Sequence, residues 1–156
     1  MRALFRRSEV RQGTGSECRK GLDFDSGFDT SIFMELDSLF AYGTLRHPDI
    51  IRYVIGRVPE QVDVELEGFV RYRIRDADFP GIFPKKGERI DGTLFTGISS
   101  EELLRLDNYE SDLYVRQKVE VIHPDGDTSV AYAYVLPPEN ESVCTKEVWD
   151  LNTYHP

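Results

Sequence analysis

The chain has 156 residues, 40% hydrophobic and 30% charged, with a net charge of −9, which is enough for one domain with a substantial core. That acidic balance excludes a nucleic-acid-binding surface, which needs clustered Lys and Arg, and no apolar run is long enough to span a bilayer. Cys18 and Cys144 stand outside any C-x-x-C pair and read as reduced thiols of a cytoplasmic protein; His47, His123 and His155 lack metal-ligand spacing, so no metal is expected.

Residues 1–36 differ from the rest. Their six basic residues balance six acidic ones, so the whole net charge falls on residues 37–156. Gly and Ser are frequent there and no periodicity is sustained, which predicts a flexible N-terminal extension before a single domain at 37–156. The domain opens on Leu39-Phe40-Ala41-Tyr42-Gly43-Thr44-Leu45-Arg46, a short apolar run that stops at a glycine. Pro48-Asp49 then suits the first turn of a helix, since Pro at N1 loses no needed N–H and Asp favours the positive end of the dipole. The reading is strand, glycine loop, helix (Pro48 to Ile55, stopped by Gly56), and such a loop can present backbone N–H groups to an anion or oxyanion.

From Val62 to Ile74 apolar and charged residues alternate, with one break at Gly68-Phe69, which predicts a long strand bulged at the glycine. Arg71, Arg73 and Arg75 read as its solvated face. Asp76-Ala77-Asp78 begins a loop expected to reach Pro84, and without a third ligand nearby it reads as a surface turn. Lys85-Lys86-Gly87-Glu88 reads as a second turn and Ile90–Ile98 as another strand.

Ser99-Ser100-Glu101-Glu102 is a capping-box start for a helix to Glu110. At about 100° per residue, Glu110 falls between Leu103 and Leu106 on the core-facing stripe, with Asp107 at its edge. A carboxylate there is costly unless paired, hydrogen-bonded or protonated; the bland alternative is a frayed helix end that leaves Glu110 in water. Tyr114–Ile122 reads as a strand, with Val115, Val119 and Val121 on one face. His123–Asp127 carries the Asp-Gly hairpin signal, and Ser129–Leu136 is the returning strand, apolar enough to be central. Tyr132 and Tyr134 share one of its faces, where a buried hydroxyl needs a partner; one can border a polar cavity, though core tyrosines are commoner. Glu141–Leu151 reads as a short terminal helix.

Five stretches then stand out together: Tyr42-Gly43-Thr44-Leu45, Phe79-Pro80-Gly81-Ile82, Leu106-Asp107-Asn108-Tyr109-Glu110, Tyr114-Val115-Arg116 and Ala133-Tyr134-Val135. Their order and spacing resemble the gamma-glutamylcyclotransferase-like superfamily over Leu39 to Leu136. Thr44 stands where several members carry Ser, and Ser111 where relatives often have Gly. The resemblance implies an α+β fold, a small mixed β-barrel flanked by short helices. It also implies that Glu110 acts as acid and base and that Tyr42, Gly43, Thr44 and Leu45, with Tyr114 and Tyr134, surround a small gamma-glutamyl substrate. The implied reaction needs no metal or organic cofactor: the substrate's own α-amine closes a 5-oxoproline ring and expels an amine or amino acid. A non-catalytic ligand-binding or interaction module on the same scaffold, and an amide hydrolase releasing glutamate, remain as alternatives. Leaving group and oligomeric state stay open.

Overall fold

In the computed structural model, which describes residues 36–153, the run before Gly43 forms strand β1 (Asp37–Ala41). The extension expected over 1–36 lies, apart from Leu36, outside the described residues. A 3-10 turn at Thr44–Arg46 leads into helix α1 (Pro48–Ile55), with Pro at its start and Gly56 closing it in the left-handed conformation at φ 90°. Strands β2 (Gln61–Arg73), β3 (Pro80–Ile98), β4 (Val115–Ile122) and β5 (Thr128–Val135) follow, with helix α2 (Ser100–Glu110) between β3 and β4. The five strands close into a barrel in the order β1-β3-β2-β4-β5, antiparallel except where β5 meets β1. This is the α+β barrel with short helices that the sequence led us to expect.

Strand alternation divides the core in two. Phe40, Val64, Leu66, Ile82, Leu94, Val121 and Ala133 come from all five strands and fill the barrel. Leu39, Ala41 and Phe95 face outward and pack with Ile51 and Ile55 of α1 and Leu103 and Leu106 of α2. Tyr134 belongs to this outer layer, so β5 is covered on both faces toward its C-terminal end; nearer its start Val130 is exposed. Val115, expected on the buried face of β4, is also exposed, at the first position of that strand.

Two expectations about the middle of the chain need correction. The stretch from Pro80 to Pro84 is not loop but the first part of β3, pairing with Phe69–Arg73. Proline is tolerated there because β1 pairs only with the far part of β3, from Thr93 to Ile98, so residues 80–84 have no ladder to β1 for a missing N–H to break. Lys85–Glu88 is not a turn between strands either. It bulges out of a continuous ladder: the register passes from Glu67↔Arg89 to Phe69↔Pro84, so Gly68 opposes four residues. Gly68 and Gly87 take φ of 85° and 87°, which lets both strands bend at that point.

The expected helix at Glu141–Leu151 is also absent. A 3-10 segment (Pro138–Val143) gives way to extended chain lying along the end of β2, where Ile74 bridges Cys144, Arg73 N–H donates to the Glu147 carbonyl and Thr145 N–H to that of Arg73. The end of β2 offers unpaired backbone groups, and satisfying them outweighs the helical pattern. Trp149 is buried beside this junction, its indole N–H donating to the Asp78 carbonyl at 3.0 Å.

Candidate active site

The turn after β1 is shaped by what its neighbours leave room for. Gly43 sits against Pro80: a Cβ at this position would lie 2.8 Å from that ring, so a side chain does not fit without displacing it. The 3-10 turn closes with Arg46 N–H to the Gly43 carbonyl (3.0 Å) and His47 N–H to that of Thr44 (2.9 Å). The amides of Thr44 and Leu45 precede the first of these bonds, so the turn itself leaves them unused.

Helix α2 supplies the carboxylates. Its capping box is complete: Ser99 Oγ accepts from Glu102 N–H at 3.1 Å, and Glu102 Oε1 accepts from Ser99 N–H at 3.0 Å. A fixed start sets the phase of the whole helix, with Leu103 and Leu106 buried against the barrel and Glu110 as the last helical residue. The helix stops at Ser111, whose φ of 66° and ψ of −169° form a conformation that only glycine adopts freely. Glu110 is thus held at a sharp break in the chain rather than left on a frayed end.

A cavity of about 310 Å³ opens between these elements. All seven residues singled out in the sequence line it: Tyr42, Gly43, Thr44, Leu45, Glu110, Tyr114 and Tyr134. Phe40, Ala41, Phe79, Pro80, Tyr109, Ser111 and Leu113 complete the wall. The surroundings act strongly on the titratable groups. Burial raises the Glu110 carboxyl from 4.5 to about 8, and the Asp107 carboxylate one turn earlier adds to the effect. Burial likewise pushes the phenols of Tyr42, Tyr114 and Tyr134 far up, so all three stay neutral and able to donate. Tyr42 donates to the Tyr134 carbonyl at 2.5 Å and Tyr114 to the Pro80 carbonyl at 2.7 Å, while Tyr134 donates to Asp107 Oδ1 at 2.7 Å.

Sequence reasoning placed Asp107 only at the edge of the stripe, yet it is the hub beside Glu110, since Arg116 Nε also approaches its Oδ1 at 3.4 Å. The Arg116 guanidinium in turn lies 4.7 Å from the ring centroid of Tyr132. Arg71 was misjudged as part of a solvated face. Its side chain is only 13% exposed and donates to the Tyr42 carbonyl at 2.9 Å. Alternation read along β2 points Arg71 outward with Glu65 and Glu67, but the bulge at Gly68 reverses the faces: past it Arg71 pairs with Ile82, which fills the barrel, and shares its inward face.

Residues 39–151 match the family described as gamma-glutamyl cyclotransferase, AIG2-like, and the chain belongs to that family, which includes cyclotransferases. It is similar to AIG2-like protein B of Arabidopsis thaliana, with 35% identity over 91 residues covering 58% of this chain and 53% of that protein. The matched stretch thus spans about half the length of the curated plant relatives. A solution structure of an Arabidopsis thaliana protein superposes with a TM-score of 0.65 at 28% identity, covering 75% of this chain and 78% of that one. An AIG2-like protein from Mus musculus gives a TM-score of 0.58 at 22% identity over 74% and 89% of the two chains, a likeness of fold.

Proposed function

We propose that the chain is a gamma-glutamyl cyclotransferase that converts a small gamma-glutamyl amide to 5-oxoproline and a free amine or amino acid. One observation carries the reading: a carboxyl raised to about 8 lines the same cavity as backbone amides that their own turn leaves unused.

The chemistry asks for what these groups offer. Nucleophile and electrophile belong to one molecule, so the protein has mainly to hold the substrate folded for attack. Glu110, as carboxylate, takes a proton from the substrate's α-ammonium, and the freed amine attacks the side-chain amide carbon. Charge then gathers on the carbonyl oxygen, where the Thr44 and Leu45 amides, and Gly43 beside them, serve as donors. Collapse breaks the original C–N bond. Glu110 returns its proton to the departing nitrogen, and the ring nitrogen's surplus proton leaves with the amine as ammonium. A pKa near the working pH lets one group perform both transfers. The neutral tyrosine phenols add a polar but uncharged wall.

The test is release of 5-oxoproline from a panel of gamma-glutamyl amides, run beside Glu110→Gln, which keeps the size but cannot exchange the proton. The expected result is turnover by the native protein and loss of at least about a hundredfold in the variant. Equal turnover by the folded variant refutes the assignment of Glu110, and glutamate as the product assigns a hydrolase instead.

A further inference from the structure

Arg71 is the most enclosed guanidinium among the ion pairs of the described residues, with 13% of its side chain exposed. It stands outside the cavity wall. Its Nη1 donates to two backbone carbonyls at once, Tyr42 and Asp91, each at 2.9 Å, and its Nη2 donates to the Asp91 carboxylate at 2.8 Å. Its Nε is buried without a partner. An unsatisfied buried donor is destabilising, and a fully hydrogen-bonded or apolar side chain would avoid that cost. The residue is therefore poorly explained as packing.

The contacts make a bracket around the turn. The carboxylate of Asp91 also accepts from Arg46 Nη1 at 3.3 Å, and Arg46 Nε donates to Thr93 Oγ1 at 3.1 Å. Arg71 holds the carbonyl just before Gly43, Arg46 is the last residue of the turn, and one carboxylate on β3 ties the two cations together. Because the Tyr42–Gly43 peptide is trans, its C=O and N–H point in opposite directions. Fixing the carbonyl on Arg71 therefore turns the Gly43 N–H away from Arg71, in a residue that lines the cavity.

We infer that Arg71, seated on Asp91, is a positioning residue that sets the orientation of the Tyr42–Leu45 amides. It acts through the turn without touching substrate, and its effect on turnover rests on the cyclotransferase reading above. The planar guanidinium suits this work because it spans two carbonyls and a carboxylate in one plane; the ammonium of a lysine can replace only part of that set.

Two measurements on Arg71→Met and Arg71→Lys test this. The first, amide hydrogen exchange, needs no activity. In Arg71→Met the Arg46 and His47 amides, which close the turn on the Gly43 and Thr44 carbonyls, are expected to exchange about tenfold faster while strands β4 and β5 keep their protection. The second is steady-state turnover of whichever gamma-glutamyl amide the native protein cyclises. If the amides serve an oxyanion that exists only in the transition state, kcat falls about ten- to a hundredfold with KM within about twofold. The pH profile keeps its limb, since Glu110 is untouched, and Arg71→Lys recovers part of the loss. Native exchange at Arg46 and His47 in Arg71→Met overturns the inference, as does unchanged kcat in an otherwise active enzyme. If the native protein makes no 5-oxoproline from any substrate, the cyclotransferase reading fails and the exchange measurement alone decides the positioning role. Should Arg71→Met not fold, Asp91→Asn removes the charge that seats Arg71 and is read by the same two criteria.

Discussion

Asp107 and Glu110 share one face of α2 a single turn apart, yet only Asp107 is neutralised by neighbours: Tyr134 donates to it at 2.7 Å and Arg116 approaches at 3.4 Å. Glu110 receives burial and the repulsion of that same carboxylate. Two acids on one helix thus meet different surroundings, and Glu110 is the one held up toward the working pH of an acid–base catalyst.

The first prediction concerns pH. With Glu110 raised to about 8, its carboxylate form is scarce at pH 6 and grows as pH rises, so kcat/KM is expected to climb to about pH 8 and then level. Asp107→Asn keeps an acceptor for Tyr134 and removes the repulsion. The limb should therefore move to lower pH, by about half a unit to one unit. Rate profiles of the two proteins check it; an unmoved limb assigns the titration to another group.

Stability should carry the opposite signature. Glu110 has an ordinary value of 4.5 when exposed and about 8 when folded, so between these limits the folded state holds more protons. Stability then falls as pH rises through that window, by about 1.4 kcal/mol per pH unit at most, and is constant on either side with respect to this group. Glu110→Gln lacks the penalty. Melting of the two proteins should agree most closely near pH 5, with the variant gaining relative to the native protein by pH 8.

Gly43→Ala tests the turn by crowding it. The new Cβ would stand 2.8 Å from the Pro80 ring. Either the turn or Pro80 must shift, at a cost of about 1–3 kcal/mol. Since both line the cavity, turnover should fall by about tenfold or more, even in molecules that remain folded. Thermal melting and kinetics on the same preparation separate the two effects.

Ser111→Gly should do the reverse for stability. At φ 66° and ψ −169° the serine occupies a region costing about 1–3 kcal/mol for a residue with a side chain. Glycine relieves most of that and gives back about 1 kcal/mol in chain entropy. A net gain on the order of 1 kcal/mol, read from denaturant unfolding, is expected. A loss would mean that the Ser111 side chain contributes more than its backbone costs.

These elements differ in how openly the sequence declared them. The span of α2 was readable from its capping box and apolar spacing, because a helix is settled by neighbours three and four residues away. The alternation of β2 and its break at Gly68 were readable for the same local reason. The unity of β3 was not, since Pro80, Pro84 and Gly87 carry loop signals that only a partner strand overrules. At the cavity, Glu110 could be picked out as a misplaced charge, and the glycine turn by its junction. Asp107 and Arg71 could not be given their places, because each is defined by atoms distant in sequence: Tyr134 and Arg116 for one, Tyr42 and Asp91 for the other.

The seam where β5 meets β1 has a further consequence, for the order in which the molecule matures. These strands are parallel and pair through Leu39 and Tyr132, and beside that pair Tyr42 bonds to the Tyr134 carbonyl, 92 residues away in sequence. Contacts so distant along the chain are slow to form, because a large loop must close before they give any return. The hairpins β2–β3 and β4–β5 and helix α2 are assembled from closer neighbours, whereas the cavity needs both flanks of the seam. During refolding, secondary structure should therefore return before the pocket does, and a ligand for the pocket would bind only to chains that have completed the last closure.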